Sequence, residues 1–366
     1  MGMEKRELLR GALLGLAVGD AMGYTVDKKA LSQIQEDYGP NGLLGYDLVN
    51  GYADVTSYTQ IAAFTANGLL MGVTRRALRG ATAPLSRYAA LALREWCRSQ
   101  QYAPLEKNYC WLSSHPEIKR RHCVDTRLLD MLSRENLGTM DAPLNSSDTP
   151  SALTAAVPVA LLGEDLGLDQ DGRNELAAEI VALTHGNPAA YLSGAVLCHV
   201  ISLLMRRPEI GVEELLKDTI DAIQLQFGGE HCQTAHLWEL LNLTRVLMDS
   251  PEVSPMEAME QLKCTTAPEV LCGVLYACAT SHGDFDAAVI TAVNHSGRSA
   301  AVGAITGAIM GLRLGEKALP DFYLESLEPA NLLRQIADDL SAGSPLGTLS
   351  SLYDDDWDRK YMGALG

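Results

Sequence analysis

The chain has 366 residues, 47% of them hydrophobic, enough to bury one large core or two ordinary ones. With 29 Lys and Arg against 46 Asp and Glu, its net charge of −17 repels a phosphate backbone and excludes a general nucleic-acid binder. No stretch rich in Pro, Gly or Ser divides it, so residues 1–366 are read as a single domain. The cysteines (Cys97, Cys110, Cys123, Cys198, Cys232, Cys264, Cys272 and Cys278) are scattered, several within apolar helical patterns and none in a C-x-x-C pair. They read as buried reduced thiols rather than disulfides or zinc ligands.

The first ten residues are charged and lead into an apolar run over 11–19, ended by Asp20. That run is shorter than the roughly 18 residues that suggest a membrane span, and no small-residue cleavage site follows it. The expectation is a cytoplasmic protein with no membrane partner. Leu8, Leu9, Ala12, Leu13 and Leu16 recur at three- and four-residue spacing, as do Leu197, Val200, Ile201 and Leu204 further on, and this spacing predicts helices. Residues 26–58 are irregular, with Gly39-Pro40-Asn41-Gly42 as a turn. A second irregular region, 102–150, is interrupted by Pro104, Pro116, Pro143 and Pro150. Its basic run Lys119-Arg120-Arg121-His122 reads as a solvated surface facing nearby acidic groups. Alternating strand patterns are few, so the expected class is all-α.

Two segments carry glycine at every fourth residue: Gly11, Gly15, Gly19 and Gly23, and again Gly303, Gly307 and Gly311. Glycine costs about 1 kcal/mol against alanine inside a helix, so this placement implies a compensating gain. Close approach of two backbones is the simplest gain, supported by the small neighbours Ala12, Ala17, Ala304 and Ala308. Such helices would pack centrally and hold the loops at their ends, 20–27 and 294–301, near one another.

Those loops are similar to segments of the ADP-ribosylglycohydrolase family, known also from dinitrogenase reductase activating glycohydrolase. Gly11-Ala-Leu-Leu-Gly-Leu-Ala-Val-Gly-Asp20-Ala-Met-Gly23 resembles its G-x-x-x-G-x-A-x-G-D-A-x-G signature, and Asp27 falls where the family usually carries a glutamate. Thr59 and Gln60 match a Ser-Asp-Asp-Thr-Gln segment that enters a helix, but Ser57 and Tyr58 stand where its two aspartates belong. Asn294-His-Ser-Gly297 resembles the start of an Asn-His-Ser/Gly-Gly-Asp-Ser/Thr-Asp-Ser/Thr block, in which Arg298, Ala300 and Ala301 replace aspartate, aspartate and a hydroxyl residue. Weaker likenesses are Thr184-His185-Gly-Asn-Pro188, then Asn145 and Ser146 with Pro158 and Val159, where Ala155 takes an arginine position, and Trp357 to Tyr361. The matches run in order from Arg10 to Tyr361.

The resemblance implies a single-domain orthogonal helical bundle with two magnesium ions that help cleave ADP-ribose from an acceptor. Magnesium demands oxygen ligands, and carboxylates must offset the four positive charges of a pair. Ser57, Tyr58, Arg298 and Ala300 occupy four of those acidic positions, so no metal or other cofactor is expected. Arg298 adds a permanent cation that repels a divalent ion at close range. Its guanidinium is expected either to pair with Asp20, Asp27 or a ligand phosphate, or to point into solvent.

Asp20 and Asp27 are the catalytic candidates, and Thr56, Ser57, Tyr58, Thr59, Asn145, His185, Arg298 and Ser299 the ligand-binding candidates. Three of them have plainer readings: Asp20 as a helix cap, Asp27 as an exposed acid beside Lys28 and Lys29, His185 as a turn-stabilising core histidine. Asn294 and His295 read as capping of the Ser296-Gly297 turn. No Gly-x-x-x-x-Gly-Lys-Ser/Thr, His-Glu-x-x-His or Gly-x-Ser-x-Gly is present. Three functions follow: a catalytically silent binder of ADP-ribose, a related nucleotide or an ADP-ribosylated protein; a metal-independent hydrolase using Asp20, Asp27 or another acid; or a structural or interaction protein.

Overall fold

The computed structural model describes residues 4–48, 51–80, 83–101, 108–122, 124–228, 235–344 and 354–362. Pro104, Cys123 and Cys232 lie outside the described residues. The fold is all-α. Its helices are α1 (Lys5–Val26), α2 (Leu31–Tyr38), α3 (Ser57–Arg79), α4 (Leu85–Gln100), α5 (Thr126–Ser133), α6 (Ala156–Leu162), α7 (Gln170–Ala182), α8 (Pro188–Arg206) and α9 (Val212–Phe227). The chain continues through α10 (Ala235–Met248), α11 (Pro255–Leu262), α12 (Ala267–Thr280), α13 (Phe285–Val293), α14 (Ser299–Leu314), α15 (Asp321–Glu325), α16 (Ala330–Ala342) and α17 (Asp355–Tyr361). Among the described residues the only extended pairing is an isolated bridge between Ala53 and Leu327.

The glycine repeats set the centre of this arrangement. Helices α1 and α14 run antiparallel, and a methyl group added to Gly11, Gly15, Gly19 or Gly23 would overlap the carbonyl oxygen of Gly311, Gly307, Gly303 or Ser299 respectively. The reverse holds for Gly303, Gly307 and Gly311 against Gly19, Gly15 and Gly11. The two backbones therefore touch directly at successive turns, with no side chain between them. Leu9, Leu13, Leu16 and Val18 on α1 and Val302, Ile305 and Ile309 on α14 fill the surrounding space and are buried.

Other helices are laid around this pair. Helix α16 flanks α1, and Asp338 on α16 accepts from Arg10 at 2.6 and 2.7 Å and also from Arg6. Helix α17 closes over α3: Trp357 Nε1 donates to Thr74 Oγ1 at 3.0 Å and Tyr361 Oη donates to Asp339 at 2.6 Å. Helix α8 is long and apolar enough to cross a membrane, yet 89% of its most hydrophobic window is buried inside the fold. Cys97, Cys110, Cys198, Cys264, Cys272 and Cys278 are free and buried.

The structure corrects three expectations. Residues 20–26 are not a loop: α1 continues through them to Val26, placing Asp20 inside the helix. The irregular stretch 26–58 contains α2, which buries only Ile34 and so leaves almost no periodic trace. The stretch 102–150 contains α5, whose N-cap Asp125 accepts from Arg127 N at 2.9 Å, with Leu128, Leu129, Met131 and Leu132 turned inward.

Gly15→Ala or Gly307→Ala would press a methyl group into a facing carbonyl, so both should destabilise by about 3 kcal/mol or more, where an unobstructed helical position would gain about 1 kcal/mol from the same change. Urea unfolding followed by circular dichroism reads the sign directly.

Candidate functional site

The antiparallel pair brings the C-terminal end of α1 beside the N-terminal end of α14, and α3 starts against the same region. Asp20 is fully buried, and its carboxylate takes four hydrogen bonds from the first turn of α3. Thr56 donates through N at 2.9 Å and Oγ1 at 2.6 Å, and Thr59 through N at 3.0 Å and Oγ1 at 2.6 Å. Thr56 is itself the N-cap residue of α3 and accepts from Tyr58 N at 3.3 Å. A carboxylate from one helix thus satisfies orphan amides of another, at the end where the macrodipole favours negative charge. Burial pushes the Asp20 carboxyl up to about 6, the hydrogen bonds from Thr56 and Thr59 opposing that rise, so the group is ionised at neutral pH.

Asp27 has an equivalent role at the end of α1. It is the C-cap residue of that helix, its side chain is 3% exposed, and its Oδ1 accepts from Ala300 N, in the first turn of α14, at 3.2 Å. Desolvation raises its pKa, opposed by the Ala300 amide and by the nearby charges of Lys28 and Arg298. Arg298, the half-buried N-cap residue of α14, therefore lies in the field of Asp27; among the described residues it makes no ion pair with Asp27 or Asp20. Ser57, Tyr58, Ser299 and Ala300 are all buried around these contacts.

Asn145 and His185 belong to an adjoining cluster. Asn145 ties the 184–187 turn to its own loop, donating to Thr184 O at 2.9 Å and accepting from Gly186 N at 3.1 Å and Ser147 N at 2.8 Å. His185 Nε2 lies 2.9 Å from both Thr149 Oγ1 and Ser151 Oγ, and those hydroxyls reach Asp125 Oδ2 at 3.2 and 3.1 Å. An ionised carboxylate only accepts, so both hydroxyl protons point to Asp125, and Nε2 must carry the proton of a neutral imidazole. Nδ1 then accepts from Thr184 Oγ1 at 2.8 Å. Burial holds His185 down to about 4, consistent with that neutral form.

A cavity of about 500 Å³ opens beside this network, lined by His185, Asn145, Ser146, Ser147 and the exposed Arg127 and Arg134. Thr154, on the same turn as Ser151, joins the two clusters: its Oγ1 donates to Tyr58 O at 2.8 Å.

Sequence reasoning missed Asp125, Thr149 and Ser151, which are separated along the chain and meet only in the fold. It also read His122 as belonging to a basic surface, although His122 faces Tyr24 Oη at 3.2 Å and its carbonyl accepts from Ser57 N at 3.3 Å. Arg120 fits the surface reading, being exposed and paired with Asp54 at 3.1 Å and Glu328 at 2.7 Å, whereas Lys119 is half-buried and donates to Ser113 O. Asn294 braces Leu43 through both backbone groups, while His295 Nδ1 accepts from Gly297 N and Nε2 donates to Ala292 O, as a turn cap would. Among the described residues, no three His, Cys, Asp or Glu side chains are placed to hold a metal ion.

An all-α fold whose central helix pair sets two buried carboxylates of α1 against the starts of α3 and α14 defines the class. A family model described as ADP-ribosylglycohydrolase matches residues 1–348, and the chain belongs to the ADP-ribosylglycohydrolase family. Solved structures match as well: one, described as an "ADP-ribosylglycohydrolase-related protein complex", aligns with a TM-score of 0.55 at 21% identity, covering 93% of this chain and 99% of that one. At that identity the likeness shows the fold. None of the curated proteins matches.

The buried groups fix a pH response. His185 and His295 both lie near 4 in the fold against a usual 6.5, so below pH 6.5 the unfolded chain takes up protons that the folded chain refuses, and stability falls. Asp20 works the other way, protonating in the folded state near 6 while the unfolded carboxyl waits until about 3.8. The three together predict a net loss of about 2 kcal/mol between pH 7 and pH 5. His185→Asn should remove most of that loss, as measured by urea unfolding at the two pH values.

Proposed function

We propose that this chain is a non-catalytic member of its family that binds ADP-ribose, or a chemically related nucleotide, in the cleft beside His185 without a magnesium pair. The observation that carries this reading is the state of the acids at the helix termini. Asp20 has four donors on its two oxygens, Asp27 caps α14, and the remaining positions are Ser57, Tyr58, Ala300 and the cationic Arg298. Two divalent ions would find one partly engaged carboxylate and a repelling guanidinium, which does not fit their need for charged oxygen ligands. Support for a ligand comes from the adjoining cavity, where Arg127, and Arg134 on release from its pair with Asp130, offer donors to phosphate oxygens. Asn145, Ser146 and Ser147 offer polar groups to a ribose, and Asp130 and Asp148 on the same wall oppose the phosphates.

Asp27 favours a second reading. A buried carboxyl with a raised pKa is what a general acid needs, so hydrolysis without metal would run through Asp27.

Calorimetric titration with ADP-ribose in EDTA and again in millimolar magnesium separates these readings from a metal enzyme. The expected result is binding whose Kd agrees within about twofold between the two conditions, weakened about tenfold or more by Arg127→Ala. No ADP-ribose should be released from modified arginine or serine peptides. Magnesium-dependent release would overturn the proposal, and metal-independent release lost in Asp27→Asn would replace it with the second reading.

A further inference from the structure

A second cavity, of about 380 Å³, lies at the opposite end of the helix bundle, between the first turn of α1, the end of α6, the start of α7 and the end of α8. Leu8 on its wall is twelve residues before Asp20, which puts the cavity about 18 Å along α1 from the candidate site. It shares no lining residue with the His185 cavity.

Its chemistry is unlike the rest of this acidic chain. Arg173 is 6% exposed, and among the described residues it makes no ion pair. Its guanidinium donates to Leu168 O and Gln170 Oε1, both at 2.8 Å, and Nε has no partner. An arginine stays charged at any ordinary pH, and a buried charge without a counter-ion is costly. Arg173 also stands near the N-terminal end of α7, where the macrodipole disfavours a cation.

Ser202 on α8 is also under-satisfied: it is 5% exposed, and its Oγ faces only the weakly hydrogen-bonding thiol of Cys198, with no oxygen or nitrogen partner. Its carbonyl accepts from Arg206 Nε at 3.3 Å, and Arg206 reaches no carboxylate among the described residues. Lys5 supplies a third cation at the mouth and is engaged by Asp165 at 3.0 Å, while the exposed Glu164 opposes them there. Leu8, Leu161 and Met205 make the remaining wall apolar.

The geometry points to a second binding site for a small organic anion, with a carboxylate or phosphate-monoester head directed to Arg173 and Arg206 and a short apolar body against Leu8, Leu161 and Met205. Such a ligand supplies a counter-ion to the buried Arg173 and an oxygen partner to Ser202, whose Oγ otherwise meets only a thiol. The volume suits a metabolite of a few carbons.

The test uses the full chain, with inorganic phosphate, butyrate and butyl phosphate as probes at constant ionic strength, read by thermal unfolding and calorimetry. At a hundredfold excess over Kd, butyrate or butyl phosphate should raise the Tm by a few degrees. A response to butyrate alone or to butyl phosphate alone assigns the head group, and inorganic phosphate should respond more weakly because it lacks the apolar body. Arg173→Met should abolish the rise while leaving the ligand-free Tm equal to or above that of the parent. At the rim, Arg206→Met should weaken binding about tenfold and Glu164→Gln should tighten it severalfold, so the inference is tested even where Arg173→Met does not fold. Silence of the parent chain to all three probes, or responses unchanged in Arg206→Met and Glu164→Gln, would overturn it. A response to ADP-ribose at the other end of the bundle leaves the outcome unaffected.

Discussion

Direct backbone contact between α1 and α14 is the constraint from which the rest of the structure follows. Successive turns of one helix lie against those of the other with carbonyl oxygens where β-carbons would be. Contact of this kind has no tolerance in either direction: a side chain cannot enter, and a shift along the axis by less than a full turn would place carbonyls against α-carbons that cannot receive them. The two helices are therefore fixed in register, not merely in proximity.

Fixed register explains how the helix ends around the site are held together. The end of α1 is delivered to the start of α14 at a set height, so Asp27 meets the Ala300 amide, while further inside the helix Asp20 meets the start of α3. Both carboxylates do electrostatic work for the fold by neutralising the positive ends of neighbouring helices. A family framework that gathers helix N-termini at one place gathers partial positive charge there too, and acids are needed at that place whatever chemistry is carried out.

The all-α class and the central pair were legible in the sequence because glycine at every fourth position is a local pattern with a single simple cause. The ends of elements were less legible. Asp20 sits between Gly19 and Gly23, and in a linear reading that looks like a helix running out; in the fold Gly19 and Gly23 lie against the backbone of α14, Asp20 is held by the start of α3, and α1 continues to Val26. The short α2, with Ile34 as its one buried residue, had no periodicity to detect. The His185 network was invisible for another reason. Asp125, Thr149, Ser151 and His185 sit on different segments, and the hydroxyls of Thr149 and Ser151 carry no signal until a carboxylate and an imidazole are placed on either side of them. Substituted positions such as Tyr58 and Arg298 could be read only as departures from a pattern, because what replaces a lost ligand is decided by packing.

The glycine ladder also has a temporal side. Its two halves are 284 positions apart at the Gly19–Gly303 step, the difference of those residue numbers, so α1 leaves the ribosome long before its partner exists. Until then α1 is a bare apolar rod with a groove of exposed backbone, glycine-weakened and without its principal contact. Non-local closure of this sort slows folding and lengthens the interval in which such a surface is open to wrong partners. The same absence of side chains that makes the finished pair so close leaves the nascent helix least able to stand alone.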